Sequence, residues 1–275
     1  MNVLAAMLLS VIMLSSGFMI NSPATAAPNE NANDNAKRSF TLPDNAVEIA
    51  PGVFHIGTVL YHGKVVDGIA VFEHKPKHNP GGPGGGGDDD TTNPCFSYIF
   101  GKGVKWKALE DYLVDPTNTR GLDEQTVKNR IADAIGLWES ASGVEIMGDE
   151  TGGTVDGIDD VRPDGKNEVL FGDIGDKGAI AVNISWAIIR GPPSDRQLVE
   201  WDQMYDDIDY DWSLSGEAEK MDFLNIAAHE VGHAAGMGHP DNICTDETMY
   251  AFADFGETKK QDLFDGDIAG IQNLY

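Results

Sequence analysis

The chain has 275 residues, room for one large domain or two small ones. A formal net charge of −26 repels phosphate backbones and anionic headgroups, which excludes nucleic acid and anionic lipid surfaces as natural partners. With 41% hydrophobic residues the chain can bury a core, and two cysteines exclude both a disulfide-dense scaffold and an all-cysteine zinc site.

Residues 3–20 are uncharged and almost wholly apolar, and the small residues Ala24-Thr25-Ala26-Ala27 follow. This reads as a secretory signal peptide over 1–26, with an uncleaved anchor as the alternative because no Lys or Arg precedes the apolar run. A cleaved leader predicts a secreted protein; a retained one predicts a cell-surface protein. Residues 27–78 read as a prosegment. Its start is polar and Asn-rich, and residues 45–73 then alternate apolar and polar positions punctuated by Gly57, Gly63 and Gly68. That pattern predicts a small β unit, too small to stand alone. Residues 79–94 (NPGGPGGGGDDDTTNP) have the composition of a flexible, protease-sensitive linker.

From Cys95 to Tyr275 the pattern is that of one unit mixing helices and strands. Strands are expected at Val104–Val114, Val144–Met147, Glu168–Phe171, Ala179–Ile189 and Gln203–Asp207. Asp123 should cap a helix through Ser142 that presents Val127, Ile131, Ile135 and Trp138 on one face. A second helix is expected over Asp222–Met237 and a short last one over Asp267–Tyr275.

The sharpest feature is the stretch His229-Glu230-Val231-Gly232-His233-Ala234-Ala235-Gly236-Met237-Gly238-His239. Helical positions four apart share a face, so His229 and His233 can present two imidazoles to one ion. Gly236 permits a backbone reversal that brings up His239. Three neutral imidazoles with one open position are the ligand set of a catalytic zinc, and Glu230 beside the first can reach a metal-bound water. Five fixed positions arise by chance roughly once in three million start sites, against the bland reading of solvated helix histidines.

This stretch resembles the signature H-E-x-x-H-x-x-G-x-x-H of the metzincin zinc endopeptidases, and Met249 matches their methionine turn. Within that clan the chain is most similar to the matrixins. Tyr250 follows the methionine directly, and the ending from Gly266 to Tyr275 and the helix ending at Trp138 are similar to theirs. The similarity runs over about residues 100–275. It implies an α+β, metzincin-like fold: a twisted, mixed five-stranded sheet with three helices and a zinc cleft between upper and lower subdomains, beside the small N-terminal β unit. It also implies a monomeric zinc endopeptidase acting on extracellular proteins or peptides, without nucleic acid or membrane partners after leader removal. Glu230 would be the general base, and the Ala179–Ile189 run would be an edge strand that receives extended substrate. Pro240, where matrixins usually carry Ser, keeps a serralysin-like reading as an alternative, together with a non-catalytic zinc- or calcium-binding surface module. The matrixin prosegment motif P-R-C-G-x-P-D is absent, and no histidine between His78 and His229 could bind a second zinc.

Cys95 and Cys244 can form one disulfide across the catalytic unit; a zinc-blocking Cys95 thiolate and free thiols are the alternatives. The acidic runs Asp156, Asp159, Asp160, Asp164, then Asp173 and Asp176, then Asp202, Asp206, Asp207 and Asp209, suit either a solvated surface or structural calcium. His55, His62, His74 and His78 read as surface histidines rather than a second metal site.

Overall fold

A computed structural model describes residues 38–76, 94–176 and 178–275. The expected leader at 1–26, residues 27–37, His78 and the linker up to residue 93 lie outside the described residues.

In chain order the strands are β1 (Ser39–Phe40), β2 (Val47–Ala50), β3 (Val53–Tyr61), β4 (Lys64–His74), β5 (Ser97–Tyr98) and β6 (Tyr112–Val114). Helix α1 (Glu124–Ser142) follows, then β7 (Asn167–Ile174), β8 (Ala179–Ile188), β9 (Gln197–Asp206), β10 (Trp212–Ser213) and β11 (Met221–Asp222). Helix α2 (Phe223–Ala234), β12 (Met237–Gly238) and helix α3 (Asp265–Leu274) complete the chain. None of these helices is long and apolar enough to cross a membrane.

The large sheet runs β1-β7-β9-β8-β4-β3-β2, with β6 also beside β7. β1, β6 and β9 are parallel to β7, while β8, β4, β3 and β2 continue antiparallel. The catalytic unit therefore supplies four strands of this sheet (β6, β7, β8 and β9) in place of the expected five, and the whole sheet has eight. The N-terminal segment contributes four of them, so the small β unit is an extension of the main sheet. The Ala179–Ile189 run forms β8 as a strand but not as an edge: β4 is hydrogen-bonded along it from Asp67↔Ala187 to His74↔Ala179.

Helix α1 forms as its sequence dictates. The Asp123 side chain accepts from Thr126 N–H, Val127, Ile131, Ala134, Ile135 and Trp138 are buried, and Gly143 ends the helix in the left-handed region at φ 76°. Two expected strands differ. Val104–Val114 narrows to β6, and Val144–Met147 is no strand because Ile146 and Met147 donate their N–H groups to the Glu139 carboxylate instead. Around this region only Glu150 bridges to Tyr112. β9 begins at Gln197, six residues before the expected start.

Two hydrophobic cores lie on opposite faces of the sheet. The larger packs α1, α2 and α3, with Trp138, Trp201, Tyr205, Phe223 and Met249 among its buried residues. The smaller joins Phe40, Ile56, Val66, Ala70 and Phe72 of the N-terminal segment to Leu170, Val182, Ile184, Trp186 and Met204.

Candidate metal centre and active site

Helix α2 starts where the Asp222 side chain accepts from Asn225 N–H, and all but one of its twelve residues are buried. A helix this apolar needs neighbours all round. Phe171, Tyr205 and Trp212 pack at its first turn around Phe223. Trp138 Nε1 of α1 donates to Ala228 O at 2.8 Å, and Trp106 Nε1 donates to Ala234 O at 2.8 Å. The helix is thereby held before any ligand arrives.

The helix ends earlier than its apolar pattern predicts, at Ala234. Gly236 takes φ 103°, a conformation L side chains rarely adopt, and a Cβ there would approach Leu274 at 3.2 Å. The chain then reverses into β12, paired antiparallel with β5, and delivers His239 back over the helix. Ser97 Oγ donates to His239 O at 2.6 Å and fixes that end.

The structure brings His229, His233 and His239 together as the spacing predicts. Their three Nε2 atoms form a triangle with every edge at 3.1 Å. His229 Nδ1 lies 2.7 Å from Thr248 O and His233 Nδ1 lies 2.9 Å from Met237 O, so both rings donate from Nδ1 and turn an Nε2 lone pair inward. Lone pairs this close repel unless a cation sits among them, and zinc–imidazole bonds of about 2.0–2.1 Å suit such a triangle. Burial, first, and the neighbouring positive groups hold all three imidazoles below their usual range, His233 at about 4; neutral imidazole is the ligating form. The donor set and its geometry fit zinc.

Glu230 is fully buried, and among the described residues neither of its carboxylate oxygens has a hydrogen-bond partner. Burial pushes its carboxyl well above the usual range, Glu73 adds to the rise, and Lys260 opposes it. Its carboxylate, that of Glu73 and the His229 ring present atoms within 4.8 Å of one another. Lys260 Nζ, also fully buried, pairs with Glu73 and donates to Tyr250 O at 2.6 Å.

Met249 lies below the helix at Gly232, where an added Cβ would come within 2.3 Å of its Sδ. The turn around it is tied by Asp267, whose carboxylate accepts from Thr248 N–H at 2.7 Å and Met249 N–H at 3.2 Å. Sequence reasoning missed Gly232, Asp267 and Lys260. An acid in the first turn of the last helix was a signal for Asp267; nothing local marks Lys260. Cys95 and Cys244 are disulfide-bonded with Cα atoms 5.6 Å apart, which excludes Cys95 as a zinc-blocking thiolate.

His239 lies at one side of a cleft of about 1330 Å³, with His74, Phe96, Tyr98 and Tyr250 also on its walls. A separate acidic cluster, Asp159, Asp164 and Glu200, presents carboxylate oxygens within 4.8 Å of one another. His55, His62 and His74 belong to no convergent group among the described residues; His55 pairs with Asp67 at 3.2 Å and His74 with Asp176 at 3.6 Å.

A buried helix carrying two imidazoles, a third returned by a glycine reversal, and a methionine turn beneath them make a candidate three-histidine metal site. Residues 195–275 match the matrixin family model, so the site-bearing end of the chain is matrixin-like. The matched stretch begins after α1 and β8, later than the similarity read from the sequence. Over 76 residues the chain is 34% identical to Metalloendoproteinase 2-MMP of Arabidopsis thaliana, an alignment covering 25% of this chain and 19% of that protein. The chain thus matches well under two thirds of this relative's length.

Proposed function

We propose that the protein is a secreted zinc endopeptidase that cleaves extracellular proteins or peptides as a monomer. His229, His233 and His239 would hold the metal. The observation that carries this reading is the Nε2 triangle beside a buried, unpartnered glutamate. When bound, zinc supplies a Lewis acid that polarises a peptide carbonyl and makes water more acidic. The Thr248 and Met237 carbonyls orient two of the rings, and Met249 packs the floor. Glu230 acts as general base, taking a proton from the attacking water and passing it to the departing amine. A carboxylate raised by burial is the stronger base for that work.

Residues 27–78 are read as a prosegment, supported by the seating of β4 along β8. The cluster of Asp159, Asp164 and Glu200 is the best-placed group for a structural calcium. The apolar leader supports secretion.

Glu230→Ala is expected to retain one zinc per chain, measured by metal analysis of purified protein, and to lose about 10²–10⁴-fold of its casein cleavage. Undiminished proteolysis in that variant, or wild-type activity insensitive to phenanthroline, would overturn the mechanism.

A further inference from the structure

Strand β4 ends beside the candidate catalytic residues, clamped on both sides. On one side it is antiparallel to β8, with Phe72↔Val182 and Glu73↔Ala181. On the other, His74 N–H donates to Ala251 O at 3.4 Å and Ala253 N–H donates to His74 O at 3.1 Å, in the segment just after the methionine turn. An extended chain held by main-chain bonds on both edges is the form in which strand-adding peptides are recognised, with alternate side chains entering pockets.

The side chain that enters here is Glu73. It is fully buried and meets Lys260 Nζ, itself fully buried, with Tyr250 O and the His229 ring at its side. Stability alone is a weak reason for such a pair, since apolar residues of equal volume often serve as well. The pair also lies within reach of Glu230, and its two halves come from opposite sides of the linker. An acidic residue from the N-terminal segment thus fills a pocket with a cationic base that belongs to the catalytic unit.

We propose that Phe72–His74 occupy the place of a substrate strand, and that Lys260 selects substrates with an acidic side chain at the Glu73 position. This rests on the endopeptidase reading and names its substrate class. The N-terminal segment then blocks the site by filling the same pocket.

The test uses the full chain nicked in the linker with both pieces retained. It is offered a large excess of peptides based on Val66–Pro76 that carry Glu, Gln or Leu at position 73, which compete with the untethered β4 for the pocket, and products are mapped by mass spectrometry. The expected result is cutting at one fixed bond beside this residue, with Glu preferred to Gln on the order of ten-fold or more. Lys260→Met should erase that ratio, and Lys260→Glu should favour a peptide with Lys at position 73. Equal cutting of the Glu and Gln peptides by wild type overturns the pocket assignment and needs no variant to fold. If nicked wild type cuts neither these peptides nor casein at any peptide excess, the peptidase reading falls, and binding of the same peptides, read as displacement of the N-terminal piece, decides the pocket. A Glu-over-Gln preference of similar size, lost in Lys260→Met, upholds it; equal binding overturns it.

Discussion

At the scale of single residues, the closest constraint on the candidate metal site is a glycine beside the three histidines. A Cβ on Gly232 would come within 2.3 Å of Met249 Sδ and 2.5 Å of Trp138 Cζ2, two groups with packed surroundings and little room to retreat. Gly232→Ala is expected to cost about 1–3 kcal/mol in urea unfolding through overpacking, although alanine is the better helix former. A variant as stable as wild type would show that the methionine turn yields freely. The convergence of His229 and His233 was legible in sequence because positions four apart share a helix face, and that of His239 because Gly236 signals a reversal. Gly232, Asp267 and Lys260 were not, because each acts through a partner far along the chain: Met249, Thr248 and Glu73.

At the scale of elements, helix α1 was legible to its cap, since Asp123, the buried stripe and Gly143 are all local signals. The interior position of β8 was not. An apolar strand reads the same whether its free side faces solvent or another strand, and pairing between β4 and β8 spans more than a hundred residues. Short pieces failed for another reason: Val144–Met147 has strand composition, but the Glu139 carboxylate takes the N–H groups of Ile146 and Met147. The position of β4 gives a kinetic expectation. Nicking the linker should leave the N-terminal piece bound on gel filtration, because it shares a core with Val182, Ile184 and Trp186, yet make it displaceable, so that cleavage rises with peptide excess. Equal activity before and after nicking would remove the blocking role from β4.

At the scale of the whole molecule, the −26 charge is unevenly distributed. Asp159, Asp164, Glu168, Glu200 and Asp202 crowd together near Asp156, with Lys166 the cation bonded to Asp156 and Asp164. Burial, chiefly, pushes Glu200 up to about 9, Glu168 to about 7 and Asp159 to about 6. These groups bind protons more tightly folded than unfolded, so the stability they contribute is full below their unfolded values and is lost as pH rises through the folded ones. Above pH 7 the site histidines are neutral in both states and do not offset this. The melting midpoint in chelator should therefore fall between about pH 7 and 9, and Glu200→Gln should flatten that fall. Calcium added at pH 9 should restore the midpoint; no shift would count against a calcium role for the cluster. The disulfide has a quieter consequence should the linker be cut. Cys95 stands immediately after the linker and is bonded to the loop that follows His239. A cut anywhere in residues 79–93 would leave the downstream piece anchored through Cys95 to the loop after His239, whatever the length of its new end.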